Sequence, residues 1–168
     1  MSTPLFPAFP DEARLWIYAA ERSLTAREQA EVLERLQPFL ARWSSHGRPV
    51  RGAAVFLHDR FLAVAGHLPA GDLSGCGIDA SVHHIEAAIA PLATAWAPAL
   101  TVFYRDDDGT VRSAERREFR RLVREGHIHA ETPVFDLSLT SVGELRRGRF
   151  EQPAGQSWHA TVFRIPVA

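Results

Sequence analysis

The chain has 168 residues, of which 46% are hydrophobic, and its formal net charge is −1. One domain of this length buries roughly 70% of its unfolded surface without disulfides or metals. All 19 basic residues are arginine, so the chain lacks a lysine for a Schiff base or for a nucleotide-binding P-loop. The single cysteine excludes an internal disulfide and a zinc site built on paired cysteines.

Residues 1–11 contain neither a basic segment nor an apolar run. A secretion signal needs both, and a membrane span needs about 20 apolar residues. We therefore expect a cytoplasmic protein that has no membrane partner.

The first half of the chain predicts strand, helix, strand, strand, helix and strand, in that order. The predicted strands cover 14–19, 53–57, 61–65 and 99–104, and the helices begin at Ala26 and Ala80. Thr25 and Glu28 form a capping box before the first helix, and residues 58–60 predict a tight hairpin. This order is that of the ferredoxin-like fold, so we predict an α+β protein with a βαββαβ core over 1–105.

Residues 106–168 predict a C-terminal α+β subdomain packed on this core as one compact unit. Ser113 is the predicted N-cap of a helix that ends at Gly126, and strands are predicted at 132–137 and 158–165. Because three of the core strands are apolar on both faces, the face without helices needs a cover. The C-terminal extension is the predicted cover, and a second copy of the chain in a homodimer is the alternative.

The best candidate site is the glycine-rich stretch that contains the only cysteine. Asp79 is the predicted N-cap of a helix that starts at Ala80, and the glycines before it allow a tight turn. Loop amides beside the positive end of a helix dipole hold an anion or a thiolate. The predicted ligand-binding residues are Ser74, Gly75, Cys76, Gly77, Asp79 and Ser81.

The sequence is compatible with two functions for this stretch. The favoured one is a non-catalytic protein that binds an anionic small molecule or the acidic group of a protein partner. The alternative is an enzyme that uses Cys76 as a thiolate, with His83 as its base. His83 lies about two helical turns from Cys76, which is too far for a hydrogen bond unless the loop folds back. No cofactor is predicted.

The histidines and arginines outside this stretch predict no further site. The spacing of the histidines matches no metal motif such as H-E-x-x-H, so no metal is predicted. The helix after Ser113 is rich in arginine, and nucleic-acid binding would use such a stripe. Acidic residues at 115, 118 and 125 interrupt it, and the total charge is near zero. A solvated face is therefore favoured over nucleic-acid binding.

Nearly the whole chain resembles a family of small bacterial proteins of uncharacterised function. The resemblance rests on residues 13–18, the capping-box helix, 74–79 with 81–82, 118–119 before Gly126, 132–135 and 157–159. Members are often labelled "ABC transporter ATPase", and residues 73–77 are similar to the Leu-Ser-Gly-Gly-Gln signature of those ATPases. Without a Walker A sequence the chain cannot hydrolyse ATP by that mechanism alone, so we interpret the label as a misannotation. Residues 118–134 are also similar to GYF-like interaction modules.

Overall fold

The computed structural model describes residues 4–71, 73 and 75–167, and for residues 75–77 it describes the backbone alone. These residues form a mixed α+β structure with three antiparallel sheets, which confirms the α+β part of the predicted fold. The chain divides into two compact units, one up to Ala97 with Ser138–Arg146, the other Pro98–Leu137 with Arg147–Ala168. The second unit thus starts at Pro98, whereas the sequence pattern placed the end of the core at residue 105. No described helix is long and apolar enough to cross a membrane.

Short strands and helices are interspersed along both units. The strands are β1 (Arg14–Ala19), β2 (Ser44–Ser45), β3 (Arg48–Pro49), β4 (Arg51–Leu57), β5 (Phe61–His67), β6 (Val102–Arg105), β7 (Val111–Ala114), β8 (Pro133–Phe135) and β9 (Glu151–Pro153). The helices are α1 (Ala26–Arg42), α2 (Gly75–Ile89), α3 (Arg116–Arg124), α4 (Val142–Arg146) and α5 (Trp158–Val162). Short 3-10 turns follow α2 and β9.

The sheet of the first unit contains β1, β5 and β4 in that order, all antiparallel. The predicted hairpin between β4 and β5 is present, and His58 and Asp59 at its turn both have positive φ, as a type I′ turn requires. The predicted fourth strand does not join this sheet, because β6 pairs with β7 and β8 instead. After α2 the chain meets β1 in an isolated bridge between Ala20 and Trp96. Pro98 then follows, and proline has no amide to continue a ladder.

The core of the first unit lies between this sheet and helices α1 and α2. The predicted capping box is confirmed: the Glu28 amide donates to Thr25 Oγ1 at 3.1 Å, and the Thr25 amide donates to Glu28 Oε1 at 3.0 Å. Trp43, just after α1, lies flat against two glycines of the sheet. A Cβ would lie 2.9 Å from its ring at Gly52 and 2.7 Å from it at Gly66. These glycines therefore allow α1 to approach the strands closely.

The second unit is built on a four-stranded antiparallel sheet in the order β7-β6-β8-β9. Ser113 is not a helix N-cap as predicted, because it lies in β7 and the N-cap of α3 is Glu115. The reason is that the β6–β7 ladder continues to the pair of Val102 and Ala114. Gly126 has a φ of +80° and its amide donates to the Val123 carbonyl at 3.1 Å, which confirms it as the end of the helix.

The strand predicted at 158–165 is wrong, because this segment contains the helix α5. His159 and Phe163 are both buried, and their ring centroids lie 6.1 and 4.6 Å from that of Phe119. A spacing of four residues places both side chains on one helical face. A short apolar run does not distinguish a strand from a buried helix by its period, and here the packing on Phe119 favours the helix.

One part of the last third of the chain, Ser138–Arg146, belongs to the first unit. The Leu15 amide of β1 donates to the Thr140 carbonyl at 3.0 Å. Arg146, at the end of α4, donates to the carbonyls of Phe6 and Phe9 at 2.5 and 2.7 Å. This segment ties the N-terminal residues to the edge of β1. A C-terminal extension that covers the rest of the sheet stays a prediction.

Candidate functional site

The helix start predicted at Ala80 is wrong, because α2 begins at Gly75. Leu73 is buried, and Ile78 packs against the core of the first unit. Packing of this kind outweighs the low helix propensity of the two glycines in the first turn. Asp79 therefore lies inside the helix and is not its N-cap. Residues 75–79, which were predicted to lie before the helix, are helical.

The two members of the predicted ligand-binding set whose side chains are described, Asp79 and Ser81, are not presented together on one surface. Ser74 lies outside the described residues, as do the side chains of residues 75–77. The Asp79 side chain is exposed. Ser81 is 1% exposed, and its hydroxyl donates to the Ile78 carbonyl at 2.6 Å. Its hydroxyl is therefore used within the helix and does not face a ligand.

The histidines of α2 form no metal site with other described residues. His83, the predicted base of a cysteine enzyme, is exposed, and the His84 ring stacks on Phe39 with centroids 4.4 Å apart. Among the residues that the structure describes, no group of three or more His, Cys, Asp and Glu is placed to hold a metal ion. An enzyme that uses Cys76 with His83 stays a prediction, because the cysteine side chain is not described.

The arginines of α3 fall into two groups. Arg121 forms ion pairs with both Glu118 and Glu125. Arg116 and Arg120 lie one turn apart on another side of the helix, and no ion pair joins them to any residue in the described ranges. The acidic residues that favoured a solvated face therefore neutralise one side of α3 and leave the other side positive.

The positive side of α3 borders a cleft of the second unit, which we call the Phe163 cleft. It has a volume of about 360 Å³ and is lined by Arg120, Val162, Phe163 and Arg164. The guanidinium carbons of Arg116 and Arg120 lie 5.9 and 5.6 Å from the centre of the Phe163 ring. These distances are in the range of cation–π interactions. The buried Phe163 ring therefore holds two guanidinium groups beside the cleft.

Arg116 is held in an unfavourable position. It is the first residue of α3, where the positive end of the helix dipole disfavours a cation. Its Nε is buried and has no hydrogen-bond partner, and leaving a buried donor unpaired costs about 1–3 kcal/mol. The cation–π contact with Phe163 offsets part of this cost.

Arg164 has a φ of +53°, in the left-handed region. It follows α5, and the Ile165 amide donates to the Ala160 carbonyl at 3.0 Å, the long bond of a Schellman motif. Glycine is the preferred residue at this point of the motif, and an arginine there costs about 1 kcal/mol. The fold thus accepts backbone strain at the residue whose side chain lines the Phe163 cleft.

Ser157 and His159 form a pair that resembles a nucleophile and its base, with 2.7 Å between Oγ and Nδ1. His159 is 1% exposed, and its ring stacks on Trp158 with centroids 3.8 Å apart. Burial lowers the pKa of His159 to about 4; Asp136 opposes this shift and the Arg116 guanidinium adds to it. A buried and neutral imidazole does not reach a substrate, so we assign the pair to the core of the second unit.

Sequence reasoning noticed the arginines of α3 but missed the cleft beside them. Phe163 and Arg164 were placed in a strand, which hid their approach to α3. One signal for the site was present: arginines at 116, 120 and 124 recur at helical spacing on a different side from Glu118 and Glu125. The distribution of charges around the helix, rather than the total charge, indicates which side is unpaired.

No protein family, curated protein or solved structure matches this chain. The resemblance to the family labelled "ABC transporter ATPase", and that to GYF-like modules, therefore stay predictions. The geometry of the second unit is what supports a function.

Proposed function

We propose that the protein is a non-catalytic binding protein that holds a small anionic ligand in the Phe163 cleft. One observation carries the proposal: Arg120 and Arg164 line one cleft, and no described residue forms an ion pair with either of them. The planar guanidinium group suits carboxylate and phosphate because it donates two parallel hydrogen bonds.

The energetics of the free cleft support the same proposal. Like charges one helical turn apart, as at Arg116 and Arg120, destabilise a helix by about 0.2–0.5 kcal/mol. The buried Nε of Arg116 and the left-handed backbone of Arg164 add further costs. An anion beside Arg120 would reduce the first of these costs. Such costs are commonly kept at binding sites, where they hold the site ready for its ligand.

The lining of the cleft indicates what kind of anion fits. Val162 and Phe163 supply an apolar wall beside the guanidinium groups of Arg120 and Arg164. A volume of about 360 Å³ is at the lower end of the range for small-ligand pockets. We therefore propose a small organic phosphate or carboxylate, with its charged group on the arginines and its apolar part on Val162.

The stretch of residues 74–81 remains a second proposed location for an anion. Its support is the start of α2 at Gly75, where the first four amides have no partner within the helix. For the first unit we propose a ferredoxin-like frame, supported by the β1-β5-β4 order, with the Ala20–Trp96 bridge in place of a fourth strand. A cytoplasmic location is proposed from the sequence alone.

The test is isothermal titration of the full chain with phenyl phosphate and with inorganic phosphate. Arg120→Gln should weaken binding of phenyl phosphate at least ~10-fold, the loss of about 1.4 kcal/mol expected for one charge-assisted contact. Arg117→Gln is the matched control, because Arg117 is exposed on the same helix and does not line the cleft. Equal losses in both variants would indicate unspecific attraction to the helix and contradict the proposal.

His159 provides a readout of where the anion binds. The Arg116 guanidinium contributes to the lowered pKa of His159, so an anion held against Arg116 should raise that pKa. NMR titration of the imidazole with and without phosphate measures the change. Binding without any effect on His159, but with loss on Gly77→Ala, would place the anion at α2 instead.

A further inference from the structure

The outer edge of β4 is the longest strand edge without a neighbour among the described residues. β4 runs over seven residues, Arg51–Leu57, and pairs with β5 along its whole length in one continuous register. It is the last strand of the β1-β5-β4 sheet, and no described strand lies on its other side. Every second residue of an edge strand leaves its amide and carbonyl directed away from the sheet. The edge of β4 is therefore an open template for a further strand.

The opposite edge of the same sheet, on β1, is partly covered by other segments of the chain. The outer side of β1 is closed near both ends, by a bridge of Arg14 with Ser141 and a bridge of Ala20 with Trp96. The Ala97 amide donates to the Ala19 carbonyl at 2.7 Å. The fold thus protects one edge with two of its own segments and leaves the other edge open.

β4 also lacks the features that normally block an open edge. From Gly52 to Leu57 it contains no charged residue and no proline, and its register with β5 contains no bulge. Charges, prolines and bulges are the usual protections against pairing with another chain. Residues 52–57 are half-buried rather than exposed. A long, regular and apolar edge of this kind is typical of a strand that has a partner.

We propose that the partner is a second copy of this chain, with β4 of one copy antiparallel to β4 of the other about a twofold axis at Ala54. Antiparallel pairing about this axis sets Gly52 opposite Phe56 and Ala53 opposite Val55. Gly52 and Ala53 then each face a larger residue, Ala54 faces its own copy, and aromatic side chains cover cross-strand glycines well. The same contacts occur twice, as a twofold interface requires.

The charges at the ends of β4 fit the same arrangement. Arg51 is exposed at one end of the strand, and the exposed Asp59 lies in the turn that follows the other end. Antiparallel pairing brings Arg51 of each copy to the end where Asp59 of the second copy lies. The two Arg51 residues lie at opposite ends of the joint and do not repel each other. The product is a six-stranded antiparallel sheet.

A cross-link tests this pairing directly. Residues directly opposite in an antiparallel pair have Cα atoms about 4.5–5.5 Å apart, within the roughly 4.4–6.8 Å range of disulfides. Ala54→Cys in a Cys76→Ser background, which removes the only native cysteine, should give a covalent dimer on mild oxidation. Arg27→Cys in the same background is the control, since its side chain is 91% exposed on α1. Dimers in both variants, or in neither, would overturn the proposal.

Sedimentation velocity on the unmodified chain gives an independent measurement. A concentration-dependent dimer is expected, and Val55→Lys should raise its dissociation constant at least ~10-fold, since two like charges then meet near the axis. Thermal unfolding of the same variant checks that it is folded. A monomer at all concentrations, or a dimer that Val55→Lys leaves intact while Arg27→Cys cross-links, would exclude this interface.

Discussion

Arg146 and Arg60 of the first unit have a different role from Arg120 of the second unit. In the first unit, Arg146 donates to the carbonyls of Phe6 and Phe9, and Arg60 donates to the Ala20 carbonyl at 2.9 Å. In the second unit, the guanidinium group of Arg120 ends at an open cleft. Arg146 and Arg60 join segments that are distant in sequence. The Arg120 guanidinium lies over the Phe163 ring and forms no ion pair with a described residue, so its N–H donors are available to a ligand.

A shortage of acidic residues does not explain the unpaired arginines. Arg121 pairs with two glutamates of α3, and Arg112 pairs with Asp106 at 2.7 Å. The neighbouring Arg120 pairs with no residue of the described ranges. The distribution of the pairs, rather than their number, therefore separates structural arginines from those at the site.

The largest expected effect comes from removing a structural arginine. Arg146→Met should lower the free energy of unfolding by about 3 kcal/mol, because buried carbonyls lose charge-assisted hydrogen bonds. Arg120→Met in the second unit should change it by less than about 0.5 kcal/mol, as expected for an exposed side chain. Urea unfolding of both variants measures the difference. Similar losses of unfolding free energy in the two variants would contradict the distinction between the structural Arg146 and Arg120.

The second expected effect is acid sensitivity confined to the second unit. His159 is neutral in the folded state, with a pKa lowered to about 4 by burial, and it titrates near 6.5 when unfolded. The unfolded state therefore binds more protons between these values, and stability falls as pH falls through this window. By pH 5 the loss is about 2 kcal/mol.

Urea unfolding at pH 7 and pH 5 checks this loss. It is monitored by tryptophan fluorescence, to which Trp158, stacked on His159, contributes. His159→Phe keeps a buried aromatic ring but cannot titrate, so it should remove most of the difference between the two pH values. An unchanged pH dependence in that variant would show that other groups cause it.

Local signals predicted much of the first unit. The capping box of Thr25 and Glu28 and the turn at His58 depend on neighbouring residues, and both are present. The start of α2 could not be predicted this way, because packing of Ile78 on a distant core outweighs the glycines before it. The Phe163 cleft depends on contacts between α3 and α5, some forty residues apart. Such contacts leave no short pattern in the sequence.

The smallest expected effect on stability concerns Arg164. This residue separates a role in folding from a role in binding most clearly. Arg164→Gly removes a non-glycine residue from the left-handed region at a φ of +53°. Relief of strain favours the folded state by about 1 kcal/mol, and the greater freedom of glycine in the unfolded chain offsets part of this gain, roughly 0.4–1 kcal/mol. We therefore expect stability in thermal unfolding to stay equal or to rise slightly.

Affinity for phenyl phosphate should change in the opposite sense in the same variant, with at least a ~10-fold loss, because a guanidinium group leaves the lining of the cleft. Arg164→Asn is the matched comparison, since asparagine tolerates the left-handed conformation and also lacks the charge. It should lose affinity to the same extent as Arg164→Gly. If instead Arg164→Gly lost stability and kept its affinity, Arg164 would belong with the structural arginines of the first unit, and the contrast between the two units would not hold at this residue.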